Sequence, residues 1–221
     1  MPRGRFITFE GLDGTGKSTH LEKLASILRR RGLEVVTTRE PGGTETGEKV
    51  RAIILDSRTR GLAARAELAL MFASRAQLLE ELVKPALERG AWVLCDRFTD
   101  SSEAYQGGGR QLGSDTVLRV HRAVCGDFWP DLTILMDSDV EKSVNRARRR
   151  NTSIADKDEN RFESENREFF QRVHQAYLAI ARREERMVKV DARRAISVVH
   201  KEIVAIVEKR LLEKKPLAVS R

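Results

Sequence analysis

Cysteine is scarce in this chain. Cys95 and Cys125 are the only two, and neither has a Cys or His partner at ligand spacing, which excludes a disulfide framework and a structural zinc site. A reducing, cytoplasmic setting is the simplest expectation. No apolar run approaches the roughly 20 residues that a membrane helix needs. The first strand is expected within about five residues of the N-terminus, so neither a span nor a signal peptide is expected and the chain is read as soluble. Aromatic residues make up only 5% of the chain, and no recognition helix or RNA platform motif accompanies them. The net charge of +8 is spread over several predicted helix faces, so it does not make nucleic acid an expected partner. Repeats and linkers are missing as well, and 221 residues suit one α/β domain with a core that needs no staples.

What the chain does have is RFITFEGLDGTGKST, from Arg5 to Thr19. Phe6, Ile7 and Phe9 read as a short buried strand, and Gly11, Gly14 and Gly16 break it before the helical run Leu21, Leu24, Ala25, Leu28. The stretch Gly11, Leu12, Asp13, Gly14, Thr15, Gly16, Lys17, Ser18 fits G-x-x-x-x-G-K-[ST], the phosphate-binding loop. Its glycines let backbone N–H groups turn inward as an anion nest, and the helix start adds its positive end. Lys17 is placed to reach the outer phosphates of a nucleoside triphosphate, and the Ser18 hydroxyl to ligate Mg²⁺.

Further on, a helix is expected from about Lys17 to Arg31, and a second strand from Leu33 to Thr38 that delivers Arg39 and Glu40 to the sheet edge. A helix from Thr46 or Gly47 carries Arg51. A long one from about Arg65 to Glu88 embeds Arg75 in an apolar stripe, with Pro85 expected to kink its last turn. Ala91 to Cys95 reads as a third strand capped by Asp96 and Arg97, where a phosphate-loop protein keeps its magnesium-side carboxylate. TDSSEAYQGGGR follows as a short helix or loop, too polar to be core. Ser114 to Val124 is a helix, Asp131 to Asp137 the fourth strand, and Val140 to Arg150 a helix ending in Arg146, Arg148, Arg149 and Arg150. The polar run after it predicts a mobile lid over about 146–161. Glu163 to Arg183, Met187 to Val190 and Ile196 to Leu212 read as helix, strand and helix. The four histidines, His20, His121, His174 and His200, fall on predicted helices and are read as ordinary. Strands alternating with helices mean a doubly wound, five-stranded parallel sheet with helices on both faces, spanning 1–213, and a charged tail, 214–221.

This combination resembles the thymidylate kinase family over nearly the whole chain. FEGLDGTGKST is similar to the family's phosphate loop, TREPGGT to its second-strand motif, CDRFTDSSEAYQGGGR to its third-strand and nucleotide segment, and DENRFE to the far border of its lid. The resemblance implies the phosphate-loop nucleoside monophosphate kinase architecture, ATP as donor, Mg²⁺, dTMP as acceptor and a homodimer. It implies that Arg97 and Arg51 hold the dTMP phosphate, assisted by Glu40, and that Arg75, Ser102 and Gln106 address the thymine edges. Tyr105 would pack on the sugar and disfavour a 2′-hydroxyl, while Asp13 and Asp96 act on the magnesium and phosphoryl side with Lys17. Some family members carry an arginine in the phosphate loop where this chain has Gly14. Arg148, Arg149 and Arg150 are then the candidates for the transition-state cation, as in the family's bacterial type. Relatives place an aromatic residue four positions before the base-reading arginine. Here that position is Met71, with Phe72 beside it, and at 100° per residue both flank Arg75. The rival readings are a kinase for another nucleoside monophosphate and a non-catalytic ATP-binding switch.

Overall fold

The computed structural model describes residues 3–59, 61–152, 161, 162 and 164–212. Residues 153–160, half of the expected lid, and the tail 214–221 lie outside the described residues, as do the side chains of 150–152. The five strands are β1 (Phe6–Glu10), β2 (Val35–Arg39), β3 (Trp92–Asp96), β4 (Leu132–Asp137) and β5 (Met187–Asp191). They pair in parallel in the order β2-β3-β1-β4-β5, so the expected doubly wound sheet is the one observed. Each strand is an apolar or β-branched run that ends on a charged residue: Glu10, Arg39, Asp96, Asp137 or Asp191. That charged edge is the carboxyl edge, and the strand order reverses at β1, which opens the ligand crevice of such sheets there.

Alternation along the strands divides the core. Ile7, Phe9, Leu94 and Ile134 pack with Leu24 and Leu28 of α1 (Lys17–Arg30) and with Val199 and Ile203 of α9 (Ile196–Val207). Phe6, Val93 and Cys95 face the other way, against Leu68 and Phe72 of α3 (Ala64–Leu78) and Val117 of α6 (Ser114–Cys125). A third cluster joins Leu135 to Phe169, Val173 and Tyr177 of α8 (Arg167–Arg183) and to Val144 of α7 (Val140–Thr152). Among the described residues no helix is long and apolar enough to cross a membrane.

Three local expectations need correction. The single helix over 65–88 is broken: α3 passes through a π-helical turn, Leu79–Val83, before α4 (Lys84–Glu88). Pro85 has no N–H to give to the carbonyl four residues back, and the wider turn precedes it. Helix α8 starts at Arg167 rather than at 163, because the Asn166 side chain accepts from the Phe169 N–H at 2.9 Å and caps it there. Likewise α2 (Glu45–Leu55) begins one residue early, with Thr44 accepting from the Gly47 N–H.

The third strand's polar extension departs most from expectation. Thr99–Ser102 (α5) and the π-helical Glu103–Gly109 are buried through Gln106, not solvent-facing. Each polar side chain there has a distant partner: Asp100 takes Arg186 at 2.7 and 2.8 Å, Glu103 takes Arg183 at 2.8 Å, and Ser102 receives Arg75 at 3.0 Å. Paired in this way, charged groups can lie in a core without the desolvation cost of isolated ones.

Candidate active site

The loop between β1 and α1 presses against its neighbours. Gly11 has φ 129°, and a Cβ there would lie 2.6 Å from the Met136 carbonyl oxygen. Gly14 has φ 77°, and its Cβ would lie 2.3 Å from the Ser143 carbonyl oxygen and 3.1 Å from the Ala147 nitrogen, both in α7. Only glycine fits either position. Lys17 is buried, donates to the Leu12 carbonyl at 3.0 Å and stands 3.6 Å from Asp13. Burial, then the nearby Arg97 charge, hold its ammonium below the usual lysine range. Thr15 closes the loop by donating to the same Leu12 carbonyl at 2.9 Å. The Ser18 hydroxyl, on the first turn of α1, donates to Asp96 Oδ2 at 2.5 Å, so two oxygens from different elements meet beside the phosphate nest.

A cavity opens from this loop along the carboxyl edge. At the loop end, Arg97 has φ 78°, a left-handed backbone that is strained for arginine and found mostly where function requires it. Its guanidinium donates to Asp13 at 2.8 Å, Ser101 at 2.9 Å, Tyr177 at 3.1 Å and Tyr105 at 3.3 Å. Behind it Glu10 accepts from the Phe98 N–H at 2.7 Å, from Ser101 at 2.5 Å and from Tyr177 at 3.0 Å. Burial, reinforced by Asp100, pushes the Glu10 carboxyl up to about 7. Arg51 comes from α2 and donates to the Pro41 carbonyl at 3.0 Å.

The far end reads differently. Arg75, 1% exposed, donates through Nε to Glu40 at 2.7 Å and through Nη2 to Ser102 at 3.0 Å. Its guanidinium lies 4.3 Å from the Phe72 ring centre and 5.1 Å from that of Phe98. Phe72 therefore belongs to the core under Arg75, while Met71 lines the cavity. Glu40 also lines the cavity, and its described partner is Arg75. Burial raises its carboxyl above the ordinary range even against the Arg75 charge. Gln106 and Tyr105 complete the wall, and Arg39 turns away to Glu48 at 3.0 Å.

The α7 arginines are not gathered with the other three. Among the described residues the cavity is lined by Arg51, Arg75 and Arg97 but not by Arg148 or Arg149. Arg148 donates to the Glu165 carbonyl at 3.1 Å, Arg146 to Ser138 at 3.3 Å, and the Arg150 side chain lies outside the described residues. His121 is a core residue, bonded to Thr99 at 2.9 Å, and its pKa is lowered to about 4, by burial first and then by Arg75. Both thiols are buried, with pKa values raised mainly by that burial, so neither is a nucleophile.

Several residues that build the site were missed. Glu10, Ser101 and Tyr177 hold Arg97, and Phe162 faces Tyr105 with ring centres 5.7 Å apart. Glu67 accepts from Gln106 at 2.8 Å. A signal for it existed: Glu67, Met71 and Arg75 stand at i, i+4 and i+8, one face of α3. A wall combining three guanidinium groups, an apolar stretch and a few fixed polar atoms suits a ligand with an anionic group and a planar ring.

A family model described as thymidylate kinase matches residues 9–203. Among curated proteins, the thymidylate kinase of Nitrosomonas eutropha is 49% identical over 210 residues, covering 95% of this chain and 94% of that protein. That of Alkalilimnicola ehrlichii is 46% identical, covering 90% of each. The enzyme of Methylobacillus flagellatus is 47% identical, covering 92% of this chain and 97% of its own.

Proposed function

The chain belongs to the thymidylate kinase family, and from that premise we propose how its cavity transfers the γ-phosphate of ATP to dTMP, giving dTDP and ADP. The observation that carries the reading is the joint wall: Asp13 of the phosphate loop is bonded at 2.8 Å to Arg97 of the cavity, so a donor on the loop and an acceptor in the cavity meet at that pair.

Arg97 and Arg51 bind the acceptor phosphate, a task suited to the guanidinium fork. Arg75, Ser102 and Gln106 address the base, Met71 covers its face, and Tyr105 packs on the sugar and disfavours a 2′-hydroxyl. Phe72 and Glu40 act through Arg75, one beneath its guanidinium and the other as its counter-charge. The loop from Gly11 to Ser18 takes the ATP phosphates, with Lys17 on the transferred group. An acceptor oxygen attacks the γ-phosphorus in line as the bond to the ADP oxygen breaks, with no covalent enzyme intermediate. Positioning and charge carry the reaction. An arginine from 148–150 supplies the cation that the loop lacks.

Ser18 and Asp96 fit Mg²⁺: they are hard oxygen donors 2.5 Å apart beside the phosphate nest. This ion is commonly held by one or two protein oxygens together with water and phosphate. When bound it neutralises charge on the phosphate oxygens. A homodimer is part of the proposal, supported by the exposed Ile53 of α2 (49%) and Val124 of α6 (41%); a monomer in sedimentation at micromolar concentration would remove it. For the activity, ADP release is measured with ATP, Mg²⁺ and a panel of nucleoside monophosphates. dTMP is expected to be the best acceptor. Preference for another monophosphate, or no acceptor-dependent release, would overturn the reading.

A further inference from the structure

Glu67 is 0% exposed, on the α3 face that also carries Arg75. Besides Gln106 Nε2 at 2.8 Å, its carboxylate meets Arg110 at 3.1 Å and Arg161 at 2.8 Å. Arg110 is shared with Glu165 at 2.5 Å, and Arg161 also donates to the Ile54 carbonyl, so the carboxylate is clamped from two sides. A carboxylate between two guanidinium groups only accepts hydrogen bonds. Gln106 is therefore obliged to give Glu67 its amino group, and a carboxamide that turns its NH₂ one way presents its carbonyl the other way.

The atoms left over fit that orientation. Among the described residues Gln106 Oε1 is buried with no protein partner, and Gln106 lines the cavity. On the same wall Arg75 Nη1 is also buried and without a partner among the described residues, its Nε and Nη2 being committed to Glu40 and Ser102. Beside the equally unpartnered Glu40 Oε1, this pair thus offers one donor, which can only be a donor, and one acceptor, held as an acceptor by Glu67. We propose that Glu67 is a specificity-determining positioning residue: by locking the Gln106 carboxamide it makes the cavity read an N–H beside a C=O. This inference rests on the proposed function and deepens it. The edge read is the imide of a thymine or uracil ring. The corresponding edge of a cytosine, a ring nitrogen acceptor beside an amino donor, meets the wrong partner at both positions. A site built this way rejects the mismatched analogue by about 10⁴-fold or more, against about 10- to 200-fold for a misplaced methyl group.

The test compares dTMP with 5-methyl-dCMP, which keeps the sugar, phosphate and methyl group and reverses the edge. kcat and KM are measured for wild type, Glu67→Gln and Gln106→Leu. Glutamine at 67 can donate to Gln106 Oε1, which frees the Gln106 carboxamide to turn over. The dTMP to 5-methyl-dCMP ratio of kcat/KM is expected to fall by about tenfold or more, through a raised KM for dTMP, with kcat at saturation and KM for ATP within about threefold of wild type. A Glu67→Gln enzyme with the wild-type ratio, or one that loses kcat equally on both acceptors, overturns the inference. If Glu67→Gln does not fold, Gln106→Leu, which leaves Glu67 its arginines, is required to show the same narrowing, and an unchanged ratio there overturns it. A wild type that phosphorylates no dTMP overturns the proposed function and this inference with it, whereas an active wild type with unchanged variants overturns the Glu67 role alone.

Discussion

Truncating Arg75 to alanine should act on folding as much as on binding. Arg75 and Glu40 are 1% and 5% exposed and 2.7 Å apart, so removing the guanidinium strands a buried carboxyl group. Breaking one side of such a pair costs about 3–5 kcal/mol. Losing the stacking on Phe72 at 4.3 Å and Phe98 at 5.1 Å adds about 0.5–2 kcal/mol. For a chain of this size each kcal/mol lowers Tm by about 2–4 °C, so Arg75→Ala should unfold on the order of 10–20 °C early. Arg75→Lys separates the two roles. It keeps a charge beside Glu40 but gives up the planar fork that reaches Ser102 and offers Nη1 to the base. One base carbonyl left unpaired costs about 1–3 kcal/mol, which is about 5- to 150-fold in KM for dTMP, while KM for ATP holds. Thermal unfolding and coupled ADP release on both variants give the two readings. An Arg75→Ala protein melting within about 3 °C of wild type would refute the buried-pair account. An Arg75→Lys enzyme that weakens ATP and spares dTMP would reverse the assignment of the two ends of the site.

Glu10 should set a pH dependence of stability. Its folded pKa of about 7 lies above the ordinary 4.5, so between those values the folded chain holds a proton that the unfolded chain has released. That contribution is fully present below about pH 4.5 and is lost as pH rises through 7, by up to about 3 kcal/mol. Glu10→Gln should therefore flatten the decline of Tm between pH 5 and 8, and parallel profiles for wild type and variant would rule the effect out. The α7 arginines are tested by changing Arg148, Arg149 and Arg150 singly to alanine. At least one should lose about a hundredfold in kcat with little change in ATP binding, since an arginine on the transferring phosphoryl group is worth about 10³ to 10⁵. Three near-normal enzymes would leave the cluster as a basic helix end.

The parts of this molecule that could be read from sequence are those whose physics is local. Phe6 to Ser18 carries its strand, turn and helix start within thirteen positions, and the loop's glycines and lysine have fixed offsets, so fold and phosphate site followed together. The polar run 99–106 was misjudged because what buries it comes from far along the chain. Asp100 waits for Arg186, Glu103 for Arg183, and Ser101 for Glu10. Composition alone describes such a segment as surface, and only the pairing changes its sign. Met71 and Phe72 look alike in sequence for another reason: helical spacing sets both beside Arg75, and only packing shows that Phe72 joins the core cluster while Met71 lines the cavity. Glu40 could be placed at the carboxyl edge but its pairing with Arg75 could not, since a strand end fixes where a side chain starts and not which of several arginines it meets.

Gly14 ties these two kinds of information together. Its place in the loop motif requires only a backbone that can turn, yet the tightest contact a side chain there would meet is the Ser143 carbonyl oxygen at 2.3 Å, with Arg146 Cβ at 3.1 Å. Both belong to α7. A helix packed that closely leaves no room for an arginine at position 14 of this chain unless α7 shifts. Withdrawing α7 to admit a side chain would also pull Val144 and Ala147, both buried, out of the core, at about 1.5–3 kcal/mol for the valine alone. The same contact that removes an arginine from the loop sets the helix bearing Arg146, Arg148, Arg149 and Arg150 directly against it. The absence of a loop arginine and the nearness of the α7 arginines are thus two consequences of one contact, which makes α7 the first place to test for the proposed cation.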